Sequence, residues 1–396
     1  MKFFKHTNTK KIVVGSILAH IWLFTYTGCT IEPPLHLPAQ DIVSEMPIVE
    51  LELEVMWELD VNWRAKWYYG WDMEDSLRWG PLAYPEPKEY EIRRYYLGDA
   101  PGLPHTTVSP KYITVPRYRD NFEFGYHDIL VWTGFGYLPF GQAVIIDESS
   151  LDNVYATTSS RSTNFANRRK TAEGNDFKHH NNPEIFYRCY ERDFYISRDT
   201  ADYDFFDPVE RLWVKRTEAD LVPAVYIYLV QVILHNNRGR ISGISDACAI
   251  NGLAEYTNVT TGHTSMEDAS VLFDMRLKKD CDKLGEKVDV VGGLLTTFGL
   301  CDLGPYTPTR GRSYNGLRMD LDNDFSLNLH FANSMDSTYV FTVTDQFRQQ
   351  CNGGVITVEL DVDTLDIPVN PKPAGGGSAF DPYVEDYDNE EHEISM

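Results

Sequence analysis

The chain has 396 residues and a formal net charge of −23, with 42 % hydrophobic and 13 % aromatic residues. At about 100–200 residues per domain, this length favours two or three domains over one. Nucleic-acid affinity rests on Lys and Arg side chains that neutralise phosphates. A charge this negative therefore argues against nucleic acid and anionic lipid headgroups as partners.

Residues 1–28 have the organisation of a secretory signal. Four lysines precede the apolar run Ile12 to Ala19, and the small residue Gly28 precedes Cys29. This pattern predicts a signal peptide over 1–28. The alternative is an uncleaved transmembrane helix, but the stretch 12–26 is shorter than the ~20 residues that span a bilayer.

The four residues that end at Cys29 resemble a bacterial lipobox, in which the cysteine thiol is diacylated and the signal is cleaved before it. Gly28 fits this motif, whereas Tyr26 stands where leucine is usual. We expect lipid on Cys29 to hold the protein in the outer membrane, with residues 29–45 as a tether. The anchored protein would face either the periplasm or the cell surface.

Alternation of apolar and polar residues predicts β-strands along most of the remaining chain. In 48–60 the apolar residues fall on one face and the acids on the other, which is the period of a half-buried strand. The segment 225–234 is apolar on both faces except at Gln231, which predicts a central strand. Further strands are predicted at 89–97, 121–133, 142–146, 154–158, 210–215, 222–234, 240–249, 267–277, 288–295, 325–331, 339–344 and 356–362.

Many short strands separated by turn clusters indicate an all-β protein built from antiparallel β-sandwiches. Four aspartates and a proline at 199–208 predict a domain boundary. The boundary gives an N-terminal β-sandwich over 46–205 and a C-terminal β-sandwich over 206–370.

The C-terminal part of the chain has two further features. The last three predicted strands indicate an antiparallel meander whose final turn contains Gly353 and Gly354. Residues 371–396 combine a glycine run with many acids and are predicted to be disordered. The alternative for this tail is an extended peptide that pairs with another chain.

The sequence holds no nucleophile elbow, zinc-protease motif, P-loop or dinucleotide fingerprint, so we predict neither an enzyme nor a cofactor. Asp320 to Asp324 resembles the start of a calcium loop, but Phe325 stands where such a loop needs glycine, so no metal site is predicted. His179 and His180 lie in a polar stretch that we interpret as a solvated loop.

Five cysteines follow Cys29, and no two of them have the two-residue spacing of zinc or redox motifs. We expect buried thiols, and the alternative is a disulfide between Cys281 and Cys301. The five residues are Cys189, Cys248, Cys281, Cys301 and Cys351.

Five of the eight tryptophans fall between residues 57 and 79. A polar, loop-like stretch follows Gly70, so Trp71 and Trp79 are the candidates for exposed contacts with a sugar or a protein partner. Packing of these rings beneath a long loop is the favoured explanation, and ligand contact is the alternative.

Three segments, together with the lipobox, carry a resemblance to a known family. They are Tyr-Glu-Ile-Arg-Arg-Tyr-Tyr at 90–96, Phe-Gly-Tyr-His-Asp-Ile-Leu-Val-Trp at 124–132, and Ile-Ser-Gly-Ile-Ser-Asp-Ala-Cys-Ala-Ile-Asn-Gly-Leu-Ala at 241–254. Over most of residues 45–367 the chain resembles fimbrillin-like lipoproteins of Bacteroidales, near their fimbrial anchor and minor subunits. The resemblance implies two transthyretin-like β-sandwich domains in tandem. It also implies assembly by strand donation, in which a segment of one subunit completes a sheet of the next.

In that family, structural subunits are freed by proteolysis after Arg or Lys ahead of the first strand. Here no Arg or Lys occurs between Cys29 and Arg64, so the strand 48–60 would stay attached to the lipid. This departure favours an anchor or accessory subunit, with fimbrial subunits or host or bacterial surface ligands as partners. The alternative function is a surface glycan-binding lipoprotein of a polysaccharide-uptake system.

Overall fold

The computed structural model of the chain describes residues 42–56, 66–102, 106–133, 144–148, 151, 154–163, 178–305, 320–369 and 391–393. The predicted signal peptide, Cys29 and most of the tether and tail lie outside these residues. Within the described ranges, no helix is both long enough and apolar enough to cross a membrane. The same ranges contain no cluster of three or more His, Cys, Asp or Glu side chains that could hold a metal ion.

Regular structure is almost entirely β, which confirms the all-β prediction. Two short helices interrupt the strands, α1 (Met73–Trp79) and α2 (Thr344–Gln349). The strands are β1 (Ile48–Val55), β2 (Tyr90–Gly98), β3 (Thr106–Thr107), β4 (Lys111–Ile113), β5 (Arg117–Asn121), β6 (Gly125–Thr133), β7 (Val144–Glu148), β8 (Val154–Thr158), β9 (His179–Asn181), β10 (Tyr187–Ile196), β11 (Phe205–Asp207), β12 (Leu212–Pro223), β13 (Tyr226–His235), β14 (Ile241–Ile244), β15 (Cys248–Ala254), β16 (Tyr256–Asn258), β17 (Asp268–Phe273), β18 (Met275–Lys283), β19 (Glu286–Thr297), β20 (Asp324–Phe331), β21 (Asp336–Thr342), β22 (Gly354–Asp361) and β23 (Glu391–Glu393).

The first part of the chain forms a nine-stranded sheet in the order β3-β2-β6-β10-β12-β1-β5, with β4 beside β2 and β11 beside β12. Residues from both halves of this sheet, such as Val49 and Leu51 of β1 and Ile129 and Val131 of β6, share one buried core. The alternation that predicted β1 is confirmed in this core, because the apolar face of β1 is the buried face.

The second part holds a four-stranded sheet, β18-β19-β13-β22, and a seven-stranded sheet, β23-β21-β20-β15-β17-β9 with β14 beside β20. One core lies between them and includes Val230 and Val232 from β13 and Phe325 and Leu327 from β20. β13 pairs with β19 on one side and β22 on the other, which confirms the prediction of a central strand.

A third core and a small sheet join the two parts. β7 and β8 pair with β16 in a three-stranded sheet. The core beside it contains Trp132 from β6, Ala156 from β8 and Phe298, which follows β19. The two parts are therefore in direct apolar contact.

Two predictions about the order of strands differ from the structure. β12 follows the predicted boundary at 205/206, yet it runs parallel to β1, so the first sheet continues to Pro223. The predicted meander also ends early. β20 and β21 form an antiparallel hairpin, but α2 carries the chain across to the other sheet, where β22 pairs parallel with β13. Alternation reports which face of a strand is buried and does not report the neighbouring strand.

Two further predictions are corrected by local contacts. His180 lies buried in β9, not in a solvated loop, and its Nδ1 is 2.8 Å from the carbonyl oxygen of Thr158. The disulfide alternative is wrong, because Cys281 and Cys301 are free thiols that belong to different cores. Of the tail predicted to be disordered, the structure describes only β23, which pairs parallel with β21.

Candidate functional site

The tryptophan-rich segment 66–84 covers the outer face of the four-stranded sheet. Trp67 and Tyr69 are buried there against Ile227, Leu229 and Ile233, which are the outward-facing residues of β13. Both faces of the four-stranded sheet are therefore packed against other parts of the chain. This double packing explains why β13 has almost no polar residues. Packing therefore accounts for these two rings. Trp71 and Trp79, for which the sequence favoured packing over ligand contact, are partly buried against the same core.

Gln231 is the polar exception in β13, and it binds the covering segment. Its Nε2 donates to the carbonyl oxygen of Lys66 at 2.6 Å and to Oγ1 of Thr357 at 3.0 Å. Its Oε1 accepts from the backbone N–H of Tyr68 at 2.9 Å. A buried amide with all these partners fixes the position of a segment more than 160 residues away in sequence.

Gly292 of β19 lets Tyr69 approach the sheet. A Cβ atom at this position would lie 2.4 Å from Cγ and Cδ2 of Tyr69, which is far inside contact distance. Glycine is therefore required because any larger residue would overlap the Cβ and Cγ end of the Tyr69 side chain, and the backbone of Gly292 does not have a positive φ.

Helix α1 follows this packed segment and is held by charge. Asp72 caps the helix by accepting from the N–H of Asp75 at 2.9 Å, and Asp75 accepts from the N–H of Asp72 at 2.9 Å. Asp75 itself is fully buried and also accepts from the hydroxyl of Tyr69 at 2.8 Å and from Arg276 at 2.9 Å. Lys278 pairs with both aspartates. We call these five residues the Asp75 cluster.

The Asp75 cluster changes the titration of its members. The backbone N–H of Asp75 and the ammonium of Lys278 favour the charged form of Asp72 and hold its pKa well below the ordinary value. Burial, followed by the hydrogen bond to Asp75, raises the pKa of Tyr69 well above its usual range. The cluster thus presents fixed negative charge on α1 to fixed positive charge on β18 at neutral pH.

Between α1, β9 and β19 lies a cavity of about 720 Å³, which we call the Trp79 cavity. The α1 segment contributes Glu74, Leu77, Arg78, Trp79 and Pro81 to one wall, and the four-stranded sheet contributes Ile227, Leu294 and Thr296. The other lining residues are Ser159, Arg161, Asp274 and the run Asn181, Asn182, Pro183, Glu184 and Ile185.

The walls of the Trp79 cavity are fixed by polar contacts across segments. Arg161 donates to Asp274 at 2.9 Å, and Asn181 donates to the hydroxyl of Ser159 at 2.9 Å. Thr296 donates to the carbonyl oxygen of Pro183 at 2.6 Å. These bonds join segments from three sheets around one opening, so the shape of the cavity depends on the assembled fold.

The structure separates the two tryptophans that the sequence singles out. Trp79 lines the cavity, whereas Trp71 packs against its other side with ring centroids 5.4 Å apart. Trp71 donates its indole N–H to Ser76 at 3.1 Å. The indole N–H of Trp79 is buried and has no hydrogen-bond partner among the described residues.

The remaining lining residues were not predicted as site residues. Arg161, Asn182, Glu184 and Asp274 are ordinary polar residues in the sequence, and they come together because β9 joins the sheet of β17. The one local signal was the polar run at 178–183. Asn181, Asn182 and Pro183 of this run line the cavity. The solvated-loop interpretation predicted no contacts for them.

No protein-family model matches the chain, and no curated protein matches it. Its structure is similar to that of a candidate adhesin from Bacteroides ovatus, with a TM-score of 0.49, 14 % identity, and coverage of 83 % of this chain and 95 % of that one. It is also similar to a candidate polysaccharide-binding protein from Bacteroides thetaiotaomicron, with a TM-score of 0.39, 8 % identity, and coverage of 80 % and 91 %.

The fimbrial anchor protein Mfa2 from Porphyromonas gingivalis is a further similar structure, with a TM-score of 0.36, 11 % identity, and coverage of 79 % of this chain and 90 % of that one. At such identities and scores, function has to be argued from the contacts of this chain. Several of the solved structures to which the chain is similar are candidate adhesins or fimbrial proteins from Bacteroides and Porphyromonas species.

Proposed function

We propose that this protein is a lipid-anchored outer-membrane protein of the fimbrillin-like kind that acts in cell-surface adhesion or fimbria assembly, as an anchor or accessory subunit. It acts by binding and not by chemistry. In this proposal the cores of the first and second parts are the two transthyretin-like sandwiches that the resemblance implies.

The position of β1 is the observation that carries the proposal. β1 pairs with β12 from Ile48 to Val55 and with β5 from Ile48 to Glu52, so its backbone is bonded on both sides. Val49 and Leu51 are completely buried. The strand position closest to the tether is therefore filled by the protein's own chain.

A filled position cannot take up a strand from another subunit. Cleavage between Cys29 and β1 would separate the strand from the lipid, and this stretch offers no Arg or Lys. A subunit that keeps its lipid and its own strand suits the end of an assembly at the membrane, where it attaches other subunits without being extended through this position.

Strand complementation at another edge is supported by the tail. β23 adds to the outer edge of β21 through parallel pairing of Thr338 with Glu391 and Val340 with Glu393. An edge that takes up a short acidic strand from its own chain offers unpaired backbone groups to an added strand in general.

The lipid part of the proposal is tested by labelling cells that express the full chain with an alkynyl palmitate analogue. Cys29→Ala should remove the label and move the protein from the membrane fraction to the soluble fraction, because the acyl chains supply the membrane affinity. Cys351→Ala is the matched control and should retain both properties. Label and membrane association that persist in Cys29→Ala would contradict lipidation at this residue.

The assembly part is tested on fimbriated cells. Cells that carry the Cys29→Ala chain should release fimbriae into the medium, while wild-type and Cys351→Ala cells should retain them. Equal retention of fimbriae in all three strains, with Cys29→Ala found in the soluble fraction, would overturn the anchor role.

A further inference from the structure

We infer that the Trp79 cavity is a binding site for a neutral oligosaccharide. The inference gives the proposed adhesion a class of ligand, and it rests on the proposed function only for the location of the site at the cell surface. The cavity volume of about 720 Å³ lies within the ~300–1,000 Å³ typical of small-molecule sites.

The charges around the cavity favour a neutral ligand. The lining contains three carboxylates, on Glu74, Glu184 and Asp274, and two guanidinium groups, on Arg78 and Arg161. Arg161 is already paired with Asp274, which leaves little positive charge for an anion. Glu74 is paired with Arg276, so the charges of the lining are largely balanced within the protein. A phosphate or a uronic acid would therefore find no surplus of positive charge, in a chain whose total charge is −23.

The polar groups suit hydroxyl groups. Asn182 is half-buried, and within the described part of the chain its side-chain amide makes no hydrogen bond, so one donor group and one acceptor face the same wall. Glu184 is buried, and its Oε2 accepts a long hydrogen bond of 3.3 Å from the backbone N–H of Val144. A sugar hydroxyl both donates and accepts, so it can satisfy an amide and a carboxylate together.

The apolar groups suit the C–H face of a sugar ring. Trp79 lines the cavity together with Ile227 and Leu294, and it packs against the core that contains these two residues. The ring of Trp79 also contacts Trp71 and Tyr69, at centroid distances of 5.4 and 6.3 Å. An indole is large and rigid, with few torsions to order on binding, which makes it an effective contact surface.

The energetics of Trp79 also separate it from an ordinary packed ring. A buried indole N–H without a partner loses its bond to water and gains none from the protein. Trp71, which lies outside the cavity, does have a partner for its N–H. The ring of Trp79 is therefore held at the cavity by packing with its neighbours and not by a hydrogen bond of its indole N–H to a described residue.

The test measures binding of the full-length protein, purified in detergent, to three neutral series: manno-oligosaccharides, xylo-oligosaccharides and N-acetylchito-oligosaccharides. Oligogalacturonate serves as the anionic comparison and a random pentapeptide pool as the peptide comparison. We expect saturable binding of at least one neutral series, detected by calorimetry and by tryptophan fluorescence. The absence of binding in all three series at millimolar concentration, or binding only of oligogalacturonate or peptides, overturns the inference.

Variants locate the site. Trp79→Ala should weaken binding by about tenfold or more, as for a central aromatic contact, and Asn182→Ala by about threefold to tenfold, as for one hydrogen bond. Trp213→Phe, in β12 of the first sheet, is the matched control and should bind like the wild type. Melting curves identify a Trp79→Ala chain that does not fold, in which case Asn182→Ala decides. Neutral-sugar binding that is unchanged in every folded variant of Trp79→Ala and Asn182→Ala overturns the assignment to this cavity.

The result is independent of the anchor tests. Loss of the oligosaccharide site leaves palmitate labelling and retention of fimbriae as they are, because the cavity variants change neither Cys29 nor β1. Failure of the labelling test likewise leaves the binding titration of the purified protein unchanged.

Discussion

The two faces of the four-stranded sheet β18-β19-β13-β22 are both covered, but by different kinds of interaction. The inner face packs against β20 and its neighbours in a core made almost entirely of aliphatic and aromatic side chains. The outer face is covered by the segment 66–84, which is bound by the buried amide of Gln231 and by the Asp75 cluster as well as by aromatic contacts.

The difference between the faces follows from what they must do. The free energy of apolar burial is roughly proportional to the buried area and does not depend on direction. It therefore holds two sheets together without fixing the exact position of a single side chain. Hydrogen bonds and ion pairs depend on geometry, and they position α1 so that one of its residues forms a cavity wall. The inner face gives stability, and the outer face places Trp79.

The largest expected effect is on the inner face. Phe325→Ala should lower the free energy of unfolding by about 3–5 kcal/mol, because it removes a completely buried ring and leaves a cavity. Chemical denaturation measures the change, and Val209→Ala, at a position that is 88 % exposed, is the control. A loss below about 1 kcal/mol for Phe325→Ala would mean that this core does not dominate stability.

The next effect is on the outer face. Asp75→Ala should lower the free energy of unfolding by about 3 kcal/mol, at the lower end of the cost of breaking a buried ion pair, because Arg276 and Lys278 keep Asp72 as a partner. Limited proteolysis should show faster cleavage near α1. Arg78→Ala, which leaves the cluster intact, should be cleaved at the wild-type rate, and equal rates for both variants would contradict the role of the cluster.

A smaller effect is expected at the amide. Gln231→Leu should lower the free energy of unfolding by about 2 kcal/mol, because the N–H of Tyr68 and the carbonyl of Lys66 lose a buried partner. Hydrogen exchange at the amide of Tyr68 measures the local opening, with the amide of Phe325 as the reference. Unchanged protection at Tyr68 would show that the aromatic contacts alone hold the segment.

The smallest effect is a dependence on pH. The pKa of Asp72 is lower in the folded chain than its unfolded value of about 3.9, so its contribution to stability is complete above that value. The contribution is lost as the pH falls below about 3.9 toward the folded pKa. Asp72→Asn, which keeps a good N-cap, should show a shallower loss of stability in acid than the wild type. Parallel acid limbs for the two proteins would rule out this linkage.

The sequence was a good guide to elements whose signal is local. The period-two pattern of β1 and the apolar run of β13 each report burial along a single strand, and both strands were predicted close to their observed positions. β10 was missed because its polar residues Arg188, Glu191 and Arg192 hide the alternation, while the pairing with β6 that forms it is distant in sequence. Helix α1 was missed because its seven residues are too few to show a period.

The sequence identified Trp79 as a candidate contact but gave no partners for it. The other wall of the cavity comes from Arg161, Asn182 and Asp274, about 80 to 195 residues further along the chain. Gln231 was noticed as an exception in an apolar strand, and its role became clear only when Lys66 and Tyr68 were found beside it.

By itself, the sequence determined that the protein is all-β and which faces of its long strands are buried, because side-chain periodicity is a property of one strand. Its lipobox-like motif and the absence of Arg and Lys between Cys29 and Arg64 also set the expectation of an anchored protein. Only the tertiary structure decided which strands are neighbours, that β12 completes the first sheet, and that the tryptophan-rich segment lies on the second. These choices depend on backbone pairing and polar contacts between distant segments, whose free energies are set by geometry after the chain has packed.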